Sequence, residues 1–220
     1  MTFNLIYHAG IPGRAEDPTP FAPPVLDHDG LVISQTPNIL LYLGARLPKI
    51  DLSAAPGAEK GGGNVVAKPM QPDAHTYHVN ELALTVLDLV NEVHDTHHPL
   101  DITAYYEEQK DAALVRARVF RELRLPKFFA HFESNIKKAG GEFLTNGGPT
   151  YADLALFQVY DGLLFAFPCL MAQVTPQYPL ISRLYERIKE SPRVVAYLKS
   201  DRRQPYSMGL FRFYPELDAQ

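Results

Sequence analysis

Ala22-Pro23-Pro24-Val25-Leu26-Asp27-His28-Asp29-Gly30-Leu31-Val32-Ile33-Ser34-Gln35-Thr36-Pro37-Asn38-Ile39-Leu40 reads as a proline turn, a hairpin and the start of a helix. Asp27-His28-Asp29-Gly30 supplies the hairpin turn, because Asp-Gly between apolar runs favours one. Gln35 and Thr36 fall where the last strand ends and the helix begins. A helix start carries free backbone N–H groups and the positive end of the helix dipole, so it attracts a carboxylate. Pro37 suits the first helical position, where a missing N–H costs little. A peptide-like ligand lying here can bond its backbone to the turn and its carboxylate to the helix start.

Working outward, Phe3 to Tyr7 reads as a short buried strand, and Ala9 to Arg14 as a loop. The chain then runs through Pro18-Thr19-Pro20-Phe21 with no room for a helix. At most three strands are expected, with the helix from about Thr36 to Leu47. Pro48 to Pro72 is rich in glycine and proline and reads as an extended linker. From Asp73 the pattern is helical: Leu82, Val86, Leu89, Val90 and Val93 recur at spacings of three and four. Val115, Val119, Leu123, Phe128, Phe129 and Phe132 continue it, with Pro126 expected to kink or divide the segment. Thr150 and Asp153 form a capping box ahead of the apolar run Leu154 to Phe167. Two shorter helices are expected near Leu180–Lys189 and Pro192–Lys199.

Two motifs together resemble the glutathione S-transferase family. In that family a strand led by a cis-proline pairs with the cysteinyl backbone of glutathione, and a Glu/Gln-Ser pair at the next helix start holds its γ-glutamyl end. Pro24 sits at the cis-proline position, and Gln35-Thr36 at the Glu/Gln-Ser position with Thr in place of Ser. Both hydroxyls donate and accept, so the role can survive. Pro23 departs from the pattern: it has no N–H, so one bond to glutathione is missing or replaced. Gly141 to Thr145, followed by Thr150-Tyr151-Ala152-Asp153 to Phe157, resembles the family's glycine-rich loop and capped core helix. Gly10 to Arg14 and Val93-His94-Asp95-Thr96-His97-His98 resemble segments of fungal and bacterial members. The resemblance covers nearly the whole chain except the gap near residue 16 and the linker. It implies an α+β chain: a reduced thioredoxin-like, glutathione-binding domain over 1–50, a linker over 51–72 and a larger all-helical domain over 73–220 carrying the electrophile pocket.

The same resemblance implies glutathione as co-substrate, with Pro23, Pro24, Val25, Gln35, Thr36 and Arg14 around it. A free thiol is mostly protonated at neutral pH, and a hydrogen bond to sulfur favours the thiolate that attacks. The family's donor lies at or just after the first strand and is Tyr, Ser or Cys. No Ser or Cys stands there, which leaves Tyr7, with His8 as competitor. Arg14 can clamp a carboxylate, or simply make a surface salt bridge.

Tyr105, Tyr106 and Phe211 are candidates for the electrophile pocket, since aromatic walls suit flat apolar substrates. Phe165 and Phe167 read as core, and Phe211 to Tyr214 as a lid or a cap on the helical domain. His94, His97 and His98 have the spacing of ligands on one helix face, with His75 and His78 as a second pair. No His-Glu-x-x-His motif accompanies them, and in the resembled group this segment serves no metal chemistry, so no metal is assigned.

Composition bounds the remaining classes. With 21 basic against 25 acidic residues the net charge is −4, which speaks against a nucleic-acid binder or a polybasic membrane anchor. Cys169 is the only cysteine, so no intrachain disulfide or cysteine-rich metal site can form. Met1 to His8 lacks the features of a signal peptide, and Leu163 to Ala172 is too short to span a bilayer. The resemblance implies a cytoplasmic homodimer acting on a small apolar electrophile, and the trimmed glutathione domain points to secondary metabolism as its setting. Conjugation, reversible thiol addition that isomerises a conjugated alkene, and a non-catalytic scaffold of the same fold all stay open.

Overall fold

The computed structural model describes residues 3–6, 23–47, 50, 52 and 72–218. Tyr7, His8, Arg14 and nearly all of the linker lie outside the described residues. Three strands, β1 (Phe3–Ile6), β2 (Val25–His28) and β3 (Leu31–Ser34), form one antiparallel sheet in the order β1-β2-β3. His28 pairs with Leu31, so the hairpin loop is Asp29-Gly30 alone. Both residues have positive φ, 52° and 83°, as a two-residue turn matching the strand twist requires. Asp27 and His28 thus belong to the strand rather than to the turn, and the Asp27 carboxylate accepts from the Gly30 N–H.

Helix α1 (Thr36–Gly44) follows β3 at once. It is shorter than its sequence pattern suggests, since residues 45–47 continue only as a turn bonded back to Leu43. Its far end meets the helical domain closely. A Cβ on Gly44 would stand 2.5 Å from the Tyr151 ring, so only glycine allows this approach.

The helical domain is built around α5 (Tyr151–Ala166), which is buried on most of its circumference. Helix α2 (Ala74–Asp95) lies against it through Val79, Leu82, Val86, Leu89 and Val93. Asp73 caps α2 by accepting from the Thr76 N–H at 2.8 Å. Helices α3 (Lys110–Val119) and α4 (Leu125–Lys138) are joined by a π-helical turn at Phe120–Arg124, one residue before the Pro126 ring. The expected kink is this turn: proline cannot donate to the preceding turn, and the wider winding absorbs the loss. The buried face of this segment is not the one that its larger apolar residues suggest. Ala113, Ala117, Phe120 and Leu125 enter the core, while Val115 and Leu123, expected inside, are exposed.

Helices α6 (Pro168–Val174), α7 (Pro179–Lys189), α8 (Pro192–Leu198) and α9 (Pro215–Asp218) complete the domain. Distant carboxylates close two of their starts. Glu133 accepts from the Leu180 and Ile181 N–H groups at the start of α7. Asp218 accepts from those of Cys169 and Leu170 at the start of α6. The segment before α9 is fastened along the domain. Tyr206 and Arg203 both reach the Asp161 carboxylate, Phe211 covers Gly162, and Tyr214 stacks on Tyr106 at 3.8 Å. Phe211 and Tyr214 therefore cap the helical domain. No single described helix is long and apolar enough to cross a membrane.

The capping box at the start of α5 reaches further than its own turn. Asp153 is fully buried and accepts from Thr150 N and Thr150 Oγ1, and from Leu144 N in the preceding loop, each at 2.7 Å. Burial pushes its carboxyl up, against the pull of these donors. Asp153→Ala strands two backbone donors and removes the acceptor that joins loop to helix. It is expected to lower unfolding free energy by about 3 kcal/mol, measured by urea denaturation. A loss under about 1 kcal/mol would show that the box is not what holds α5.

Candidate functional site

The peptide bond between Pro23 and Pro24 is cis, as the resemblance implies for the position ahead of β2. Pro23, Pro24 and Val25 are all half-buried. Ile6 pairs with Val25, so β1 ends beside the Pro23–Pro24 turn, and Tyr7 is the next residue in sequence.

The other half of the site is the junction of β3 and α1. Gln35 is the N-cap residue of α1 and has φ 72° and ψ 117°. A non-glycine residue rarely adopts positive φ, and holding it there costs about 1–3 kcal/mol. Among the described residues no side chain caps the helix, and its first turn contains no acidic residue. Pro37 is the second helical residue rather than the first. The Thr36 N–H and hydroxyl, the Asn38 N–H and the Gln35 amide thus gather at an exposed, positively polarised end. This donor set fits the carboxylate of an α-amino acid, with the Gln35 carbonyl oxygen left to accept from an ammonium group. The backbone carbonyl of Gln35 is already used by the Ile39 N–H at 2.9 Å.

The aromatic candidates separate. Tyr105 is 77% exposed. Tyr106 is buried, with its hydroxyl donating to Glu216 at 3.2 Å, and burial pushes that hydroxyl well above the usual phenol range. Phe211 is buried against Gly162. Two of the three are packing residues of the helical domain, so they do not form a common pocket. Their sequence neighbourhood could not reveal this, because the partners Glu216 and Gly162 are remote in sequence.

Two features escaped the sequence reading. One is the strain at Gln35, for which residue type gives no signal. The other is an apolar cavity of about 540 Å³ between α1, α5 and α8, lined by Leu40, Leu43, Leu154, Phe157 and Tyr197 among others. Beside it the Tyr151 hydroxyl is buried without a hydrogen-bond partner among the described residues. The histidines at the end of α2 do come together. His97 and His98 are buried, and burial pushes His97 down to about 4 and His98 in the same direction.

Residues 94–201 match the family model described as glutathione S-transferase, C-terminal domain. Among curated proteins, the glutathione S-transferase of Plasmodium yoelii yoelii is 24% identical over 184 residues, covering 83% of this chain and 70% of the relative. Glutathione S-transferase A3 of Mus musculus is 24% identical over 188 residues, covering 83% and 69%. The solved Pi-class glutathione S-transferase of Onchocerca volvulus superposes with a TM-score of 0.56 at 21% identity, covering 81% of this chain and 70% of that one. Residues 94–201 thus carry the glutathione S-transferase C-terminal domain, and the chain has the thioredoxin-like plus all-helical architecture that the resemblance implied.

The strained cap generates a test that needs no ligand. Gln35→Gly relieves the positive φ and is expected to raise unfolding free energy by about 1 kcal/mol, after the greater entropy of glycine is deducted. Gln35→Ala keeps the strain and gains nothing. Equal stability of the two variants in urea would refute a strained cap.

Proposed function

We propose that this chain is a glutathione-dependent transferase acting on a small apolar electrophile. The observation that carries the reading is Gln35, an exposed residue held at positive φ at the start of α1. Strain of this kind persists where a function uses it, and here it aims a side-chain amide at the same end as the Thr36 donors. Reduced glutathione supplies the nucleophile, its cysteinyl thiol, when bound. Thr36 and the α1 N-terminus would hold the γ-glutamyl carboxylate, and the Gln35 amide would orient the neighbouring ammonium. Val25, at the head of β2, offers its backbone to the cysteinyl unit. Tyr7, one residue beyond the strand partner of Val25, is assigned the hydrogen bond that favours the thiolate, with His8 as the alternative donor. Arg14 is assigned to the second carboxylate of the tripeptide.

Pro23 favours a second reading, a non-catalytic scaffold or binding module of the same fold. Where the family pattern expects an N–H for the ligand, this residue has none. A homodimer in the cytoplasm belongs to the first reading as a proposal and is tested by sedimentation and fractionation.

Calorimetric titration with reduced glutathione decides between binding and its absence. The expected result is saturable one-to-one binding, weakened about tenfold or more by Thr36→Ala and by Gln35→Ala, as the loss of a bond to a charged group requires. Turnover of a small conjugated electrophile that falls in Tyr7→Phe would support catalysis, and product analysis separates adducts from isomers. Binding without turnover would favour the second reading. No binding at millimolar glutathione would overturn the first reading and give the scaffold the lead.

A further inference from the structure

His94 lies in the last turn of α2, and His97 and His98 follow just beyond it. The chain keeps its helical course there, since the N–H groups of His97 and His98 both bond to the His94 carbonyl, at 3.1 and 3.2 Å. The three imidazoles therefore stay on one side. His94 and His98 stack with centroids 5.5 Å apart, and His97 stands edge-on to both. One ring nitrogen from each lies within 4.8 Å of the other two.

The outer bonds of the cluster specify its inner atoms. Nε2 of His97 lies 3.0 Å from the Leu210 carbonyl, which can only accept, so Nε2 carries the proton and Nδ1 holds a lone pair. That Nδ1 abuts Nδ1 of His98. Two ring nitrogens so placed need a shared proton or a cation between them. Nδ1 of His94 lies 3.6 Å from the Asp95 carboxylate, too far for a hydrogen bond, so this contact commits neither ring nitrogen. An imidazole tethered through one nitrogen to a carbonyl, with the other nitrogen free, is how proteins orient a histidine ligand, and His97 is held in this way.

We propose that His94, His97 and His98 form a binding site for one divalent transition-metal ion of the zinc type, taken through imidazole nitrogen. Imidazole donors suit this class, and three protein ligands leave a fourth position for water or another exchangeable ligand. Tetrahedral coordination needs nitrogens about 3.4 Å apart for bonds of about 2.1 Å, so the His97–His98 pair opens and the wider separations close by side-chain rotation. The Arg212 guanidinium, near enough to act on both His97 and His98, favours an anion such as hydroxide or chloride at the fourth position. Glu92 is committed to Arg116 and Arg124 and takes no part. This departs from the sequence reading, where spacing alone did not assign a metal. The added information is the tail: Leu210 is 113 positions from His97 and orients its ring.

The test uses the full chain freed of metal by a chelator. Titration with Zn²⁺ against a chromophoric chelator should give one equivalent bound, and Co²⁺ should produce the intense visible absorption of a four-coordinate site. His97→Gln and His98→Gln should each weaken uptake about a hundredfold. The double variant His75→Ala/His78→Ala should leave it unchanged. Circular dichroism checks the fold of each variant, and should a Gln variant not fold, the wild-type Co²⁺ spectrum decides by itself. No stoichiometric uptake by the wild-type chain at micromolar free metal would overturn the proposal. So would uptake that survives both His97→Gln and His98→Gln, because the binding nitrogens would then belong to surface histidines.

Discussion

The helical domain depends on a carboxylate with no access to water. Asp153 begins α5 and holds the Leu144 loop to it, and α2, α6 and α7 are arranged around the helix so positioned. The cost of burying its charge is offset because each bond comes from a donor that would otherwise be stranded. Glu133 and Asp218 repeat the device at a distance, closing α7 and α6 with groups from other elements. Folding of these helices is thereby tied to tertiary contact, and the positive ends of their dipoles are consumed internally. Helix α1 is treated differently. Its first turn has no acidic residue, and among the described residues no side chain caps it. One physical rule, that a helix start seeks negative charge, thus serves architecture in the helical domain and underlies the recognition proposed for α1.

The joint between the domains is equally economical in space. Gly44 and Tyr151 leave no volume for a side chain, so the last turn of α1 rests directly on the first residue of α5. Position of the small sheet is inherited through α1 from the same helix that Asp153 begins. The strained Gln35 sits at the opposite end of α1, one short helix away from that support.

What could be read in the sequence was local. Asp29-Gly30, the Gln35-Thr36-Pro37 start, the Thr150/Asp153 box and the spacing of Leu82, Val86, Leu89 and Val93 each encode their structure within a few residues, and each element is where it was expected. Non-local features were missed for a common reason. Nothing near Glu133 or Asp218 announces a helix cap, because the helix each closes lies 47 or more positions away. Phase was misread at α3, where Ala113, Ala117 and Phe120 take the inner face and Val115 the outer one, and the wide Phe120–Arg124 turn leaves Leu123 at the surface. Tyr106 and Phe211 looked like pocket walls because aromatic residues suit both pockets and cores, and only their neighbours separate the two.

The contact between Phe211 and Gly162 has a consequence for how this chain can vary. Leu210, whose carbonyl holds the His97 ring, is the residue immediately before Phe211. A Cβ at position 162 would stand 2.5 Å from the Phe211 ring, so any larger residue there displaces that ring and drags the carbonyl with it. A mutation in the middle of α5 would then be felt as a turn of an imidazole at the end of α2. Relatives that have lost the glycine should have changed the aromatic residue or the histidine as well, so positions 97, 162 and 211 are bound to a shared history of descent.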